Sequence, residues 1–148
     1  MINGAYLAKE IKQRYTLALA ERKYAKSCLL IDDDHDDQLV FSIIIDKLGK
    51  SIFCVTADSA LEGLKRLQED PTFVPDSIFL DLNLPGMNGI DCLARIKADP
   101  NLSKIPIVIY TTSSQKLDIE KAKSLGAVDF IVKSHDVDDL TRKIGGFF

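Results

Sequence analysis

From Ser27 onward the chain alternates short apolar runs with stretches in which apolar residues recur every three or four positions. The runs fall at residues 28–31, 52–55, 78–80, 105–110 and 128–132, are rich in Ile and Val, and lack strict polar alternation. Such runs suit strands covered on both faces, as in a parallel sheet. The stretches between them read as helices. Residues 36–48 place Leu39, Val40, Ile43, Ile44 and Leu48 on one side, and 59–68 do the same with Leu61, Leu64 and Leu67 after a cap at Asp58 or Ser59. Residues 89–98 offer Ile90, Leu93 and Ile96 before Pro100, residues 115–125 end before Gly126, and 136–144 end at Gly145 and Gly146. Five strands alternating with five helices predict a doubly wound α/β sandwich with right-handed crossovers and functional groups at the C-terminal ends of the strands.

Residues 1–26 stand apart from this repeat as an N-terminal helical extension to a domain spanning 27–148. Tyr6, Leu7, Ile11, Tyr15, Leu17, Ala18 and Leu19 fall loosely on one helical stripe. The plainer expectation is an amphipathic helix packed on the domain or on a second copy in a homodimer; the sharper one is a partner-docking helix.

The chemistry collects where the runs end. The first runs into Asp32, Asp33 and Asp34, the third into Asp81, the fourth into Thr111 and the fifth into Lys133. If the first and third strands are parallel neighbours, their carboxylates converge on one sheet edge. Clustered carboxylates repel unless something cationic neutralises them. A hard divalent ion bound through oxygen could do so, as could the lysine. A carboxylate screened in this way can attack phosphorus and form an acyl phosphate.

Four segments carry a family resemblance. Leu29-Leu30-Ile31-Asp32-Asp33-Asp34 resembles the first-strand motif of bacterial response-regulator receiver domains. Asp81-Leu82-Asn83-Leu84-Pro85-Gly86-Met87-Asn88-Gly89 looks like their phosphorylation-site loop. Ile105-Pro106-Ile107-Val108-Ile109-Tyr110-Thr111-Thr112-Ser113 is similar to their fourth strand and switch hydroxyl, and Gly126-Ala127-Val128-Asp129-Phe130-Ile131-Val132-Lys133 to the segment that ends in their lysine. The resemblance covers about residues 26–144 and implies a flavodoxin-like sheet of strand order 2-1-3-4-5. It makes Asp81 the phosphoacceptor and implies Mg²⁺ held by Asp32, Asp33, Asp81 and the backbone carbonyl of Asn83. Lys133 would pair with the phosphoryl oxygens, Thr111 would move toward them, and Phe130 would follow as the switch aromatic. The implied donor is a sensor histidine kinase or a histidine phosphotransfer protein. Output would pass to an unknown downstream protein, and the receiver would catalyse its own phosphorylation and dephosphorylation without turning over an external substrate.

Each residue has a simpler rival reading. Asp34, Asp36 and Asp37 are assigned to capping the first helix of the repeat, His35 and His135 to exposed loops, and Phe130 is divided between switch and core packing. Two positions depart from the family pattern: Ser134 stands where proline usually follows the lysine, and Thr112 is bulkier than the residue usual after the switch hydroxyl. A cis bond at Ser134 is not expected without proline.

Composition narrows the alternatives. A net charge of −3 gives no basic excess for direct nucleic-acid binding. No apolar run approaches the ~20 residues of a membrane span, and residues 1–26 lack the core of a secretory signal, so a cytoplasmic address is expected. Cys28, Cys54 and Cys92 show no metal-type spacing and read as buried thiols. No effector segment follows Phe148, so output by protein contact is expected. An aspartate-nucleophile phosphohydrolase is disfavoured because His35 and Asp36 break its D-x-D-x-[TV] run, and a lapsed pseudo-receiver because Asp32, Asp33, Asp81, Thr111 and Lys133 occur together. Nucleotide-binding glycine loops are absent.

Overall fold

The computed structural model describes residues 4–20 and 25–148, with the side chains of Ala8, Lys12, Tyr15, Thr16, Leu17, Ala18, Leu19 and Ala20 outside that description. Four of the seven residues of the expected N-terminal stripe, Tyr15, Leu17, Ala18 and Leu19, therefore lie outside the described side chains. The elements are α1 (Gly4–Ala20), β1 (Lys26–Ile31), α2 (His35–Lys47), β2 (Ile52–Ala57), α3 (Ala60–Glu69), β3 (Ser77–Leu80), α4 (Gly89–Ala98), β4 (Ile107–Thr111), α5 (Lys116–Ser124), β5 (Asp129–Val132) and α6 (Val137–Gly145). All five strands are parallel, in the order β2-β1-β3-β4-β5, as expected from the resemblance.

Successive strand residues face opposite sides of the sheet, so the apolar runs feed two cores at once. Leu29, Ile31, Ile78, Leu80, Ile107 and Ile109 meet α3, α4 and α5 through Leu64, Leu67, Leu93, Ile96 and Ala122. Cys28, Leu30, Phe79, Val108, Tyr110 and Ile131 meet α2 and α6 through Phe41, Ile44, Ile45, Leu140 and Ile144. Phe41 sits edge-on to Phe79 at 5.0 Å, and Phe147 and Phe148 close over Phe79 at 6.0 and 6.1 Å.

Three sequence expectations are corrected. Leu39 and Ile43 of α2 and Leu61 of α3 are exposed, not core. Helix α2 is apolar over most of its circumference, so periodicity could not select its buried face, which is Phe41, Ile44 and Ile45. Strand β4 begins at Ile107, not Ile105, because Pro106 has no N–H to give the ladder and Ile105 instead bonds Leu102 in a turn. Gly145 lies inside α6, where a Cβ would meet Leu48 Cδ2 at 2.7 Å; only Gly146 caps the helix.

Gly126 closes α5 as expected, at φ +104°, a conformation that side-chain-bearing residues rarely adopt. All peptide bonds among the described residues are trans, including that to Ser134.

Candidate functional site

Each central side chain of the site is carried one residue past, or on the last residue of, a strand. The ladder continues far enough to fix them. Asp32 N–H donates to Ala57 O at 3.0 Å, Asp81 N–H to Ile31 O at 3.0 Å, and Lys133 N–H to Thr111 O at 2.8 Å. Two carboxylates are further held by the backbone two residues on, Asp32 Oδ1 by Asp34 N–H and Asp81 Oδ1 by Asn83 N–H, each at 3.0 Å. Helix α4 can press on the loop after Asp81 because Gly89 has no side chain there. A Cβ at that position would lie 2.2 Å from Asp81 O and 2.6 Å from Leu82 Cα.

Lys133 is the centre of the cluster. Its ammonium donates to Asp32 Oδ2 at 2.7 Å, Asp37 Oδ2 at 2.8 Å and Asp81 Oδ2 at 3.0 Å, with its own side chain only 7% exposed. It also stands 5.3 Å from the centre of the Tyr110 ring. The Thr111 hydroxyl donates to Asp81 Oδ1 at 2.7 Å, so both oxygens of Asp81 are engaged. Asn83 Nδ2 reaches the hydroxyls of Thr111 and Thr112, each at 3.4 Å. Asp32, Asp81 and Thr111 are buried, whereas Asp33 is exposed.

Burial raises Asp32 above the ordinary carboxylate range, against the opposing pull of Lys133. Burial by itself would lower Lys133, but the hydrogen bonds it donates to Asp32, Asp37 and Asp81 outweigh it and hold the ammonium above its ordinary value. The lysine is therefore a fixed positive charge at neutral pH. Tyr110, buried beneath it, is pushed up to about 12 and stays neutral.

One oxygen from each of Asp32, Asp33 and Asp81 lies within 4.8 Å of the others. Three hard carboxylate oxygens at that spacing, one of them on an exposed and movable side chain, fit a hard divalent cation that keeps several waters. Three carboxylates share the one ammonium and Asp33 stands beside Asp32 and Asp81, so a cation is also what the charge balance lacks. His35 takes no part: its Nε2 lies 3.4 Å from Asp58 Oδ2 on an exposed surface.

The structure thus gathers Asp32, Asp33, Asp81, Thr111, Lys133 and Asn83. Phe130 is set apart in β5, half-buried against the α3–α5 core. Two participants were missed from sequence. Asp37 was assigned to capping, but Asp34 does that work, accepting from Asp36 and Asp37 N–H at 2.9 and 3.1 Å, and leaves the Asp37 carboxylate free for Lys133. Tyr110 read only as a strand residue. No sequence signal separates Asp37 from Asp36; the direction of α2 does.

Comparison with known proteins places the chain in a family. The family described as "Response regulator receiver domain" matches residues 28–145. Sporulation initiation phosphotransferase F of Bacillus subtilis is 32% identical over 114 residues, covering 76% of this chain and 85% of its own length. The phosphorylated cyanobacterial phytochrome response regulator RcpA superposes with a TM-score of 0.75 at 30% identity, over 82% of this chain and 89% of that one. The Mn²⁺-bound form of response regulator Rcp1 superposes with a TM-score of 0.73 at 29% identity, over 82% and 90%.

Proposed function

We propose that this chain, which belongs to the response regulator receiver family, takes a phosphoryl group onto Asp81 in a Mg²⁺-dependent reaction. It is a receiver of phosphorylation-based two-component or phosphorelay signalling. The observation that carries the residue assignment is the convergence of a lysine ammonium and a threonine hydroxyl on the carboxylate of Asp81, beside Asp32 and Asp33. Asp32, Asp33, Asp81 and the Asn83 backbone carbonyl would hold Mg²⁺, which offsets the charge of the carboxylates and of the phosphoryl oxygens when bound.

An Asp81 oxygen attacks phosphorus while the bond from phosphorus to the donor breaks. With a phosphohistidine donor, carried by a sensor histidine kinase or a histidine phosphotransfer protein, the imidazole leaves and takes a proton from solvent. Lys133 turns an N–H toward the phosphoryl oxygens, and the Thr111 hydroxyl, now spent on Asp81, rotates to the same group. Phe130 follows Thr111 as the second part of the switch. The same groups serve hydrolysis of the acyl phosphate, so the receiver catalyses its own phosphorylation and dephosphorylation. Its output passes by contact to a downstream protein in the cytoplasm, and residues 1–26 act as an extension to the domain at 27–148. No described helix is long and apolar enough to cross a membrane.

Incubation with Mg²⁺ and acetyl phosphate, followed by intact-mass measurement, tests the reading. A phosphate adduct that disappears with EDTA and in Asp81→Asn is expected. No adduct on the unmodified chain refutes it in favour of a lapsed receiver, and sustained phosphate release from unrelated monoesters refutes it in favour of a hydrolase.

A further inference from the structure

An ammonium has three N–H donors, and on Lys133 they face three carboxylates, those of Asp32, Asp37 and Asp81. A phosphoryl group on Asp81 replaces the single carboxylate charge with up to about two and brings three new acceptor oxygens, which need a share of those donors. The partners differ in what their release costs. The Asp32 side chain is 0% exposed and that of Asp81 is 7% exposed, so before the bond to phosphorus forms either, released from the lysine, is a buried charge without its cation. The Asp37 side chain is 35% exposed, and water can replace the lysine there. Orientation of Lys133 does not need Asp37 either, since Asp32 and Asp81 also hold the ammonium, at 2.7 and 3.0 Å.

From this we infer that Asp37 competes with the phosphoryl group for Lys133 and so slows its arrival on Asp81. The inference rests on the reading of Asp81 as phosphoacceptor. In the step concerned, an Asp81 oxygen bonds to the phosphorus of acetyl phosphate, the bond from phosphorus to the acetyl oxygen breaks, and acetate leaves with the electron pair. The Asp37–Lys133 ion pair is the interaction given up as this happens.

Asp36 provides the control. It is the preceding residue, exposed, in the same first turn of α2, and its side chain has no recorded bond to Lys133. Asp36→Asn and Asp37→Asn remove the same charge from the same helix end, and only the second frees the lysine. At saturating Mg²⁺, Asp37→Asn should phosphorylate about 3- to 5-fold faster with acetyl phosphate, the upper part of the range for an ion pair with one partly exposed partner. Asp36→Asn should stay within about twofold of the unmodified chain, and Asp37→Glu should return toward it. In metal-free protein the Lys133 ammonium ¹H–¹⁵N signal should shift in Asp37→Asn and keep its place in Asp36→Asn. Equal or slower phosphorylation in Asp37→Asn overturns the inference, as does an equal response of both asparagine variants in rate or in the lysine signal. If the unmodified chain takes no phosphate, the phosphoacceptor reading itself fails and this inference falls with it.

Discussion

Replacing Lys133 by methionine keeps most of the aliphatic stem and removes the charge, which isolates what the ammonium contributes. Three charge-assisted bonds of 2.7, 2.8 and 3.0 Å are lost. Their loss matters less than what remains: Asp32 and Asp81 stay buried with no cation beside them. Removing one partner of such a pair costs about 3–5 kcal/mol, against a total stability of about 5–15 kcal/mol. The variant should therefore fold, with the deficit read by urea unfolding in EDTA at about pH 7.5. The pH dependence follows from sign. Asp32 is already raised by burial with the lysine in place, and without Lys133 its carboxyl will rise further. A raised carboxyl favours the folded state at low pH and loses that contribution as pH climbs through its folded value. The deficit of Lys133→Met should shrink between about pH 7.5 and about pH 5. Lys133 itself adds no slope there in the unmodified chain, because its raised ammonium stays charged well above that window. Mg²⁺ should restore part of the loss at neutral pH. A deficit below about 1 kcal/mol, or one that grows on acidification, would refute the reasoning, since either means the carboxylates are not paying a burial penalty.

Two further outcomes can be checked independently. Gly89→Ala should gain up to ~1 kcal/mol of helix propensity and lose about 2–3 kcal/mol to the clash with Asp81 O and Leu82 Cα, lowering the melting temperature by several degrees in calorimetry; an equally stable variant would show that the loop yields freely. Of the three cysteines, Cys54 alone is partly exposed, whereas burial pushes Cys92 up to about 12 and the Cys54 thiol together with burial raises Cys28. Iodoacetamide at about pH 8 should modify Cys54 first and the other two only in urea. Because the folded value of Cys92 lies above its ordinary 9.0, its contribution to stability is complete below that pH and is lost as pH rises toward 12.

Much of this was legible in the residue order. Strands β3 and β4, and β1 beyond Lys26, are buried at every residue and read as unbroken apolar runs, and residues that end such strands share one edge in any parallel sheet. That rule placed Asp32, Asp81, Thr111 and Lys133 together before any coordinates. What depends on the angle of an element, and not on its existence, was hidden. Asp36 and Asp37 are interchangeable in a sequence, but 100° of helical turn separates them, and only Asp37 faces the lysine. The same ambiguity misassigned Leu39 and Ile43, since a helix apolar nearly all round states no preferred face. Tyr110 was invisible for another reason: its ring lies against an ammonium brought from the neighbouring strand.

The chain separations within the cluster also bear on how the protein comes to be folded. Lys133 meets Asp32 across 101 residues, Asp37 across 96 and Asp81 across 52, while Thr111 meets Asp81 across 30. Contacts this distant along the chain close late, after nearer pairings have lowered the entropy of the loops between them. Until β5 docks on β4, the acids at the edge face one another with no lysine, and their repulsion opposes closure of the sheet. Arrival of the last strand removes it. A fragment that ends before β5 therefore also lacks Lys133 and leaves Asp32, Asp37 and Asp81 without the ammonium that pairs them.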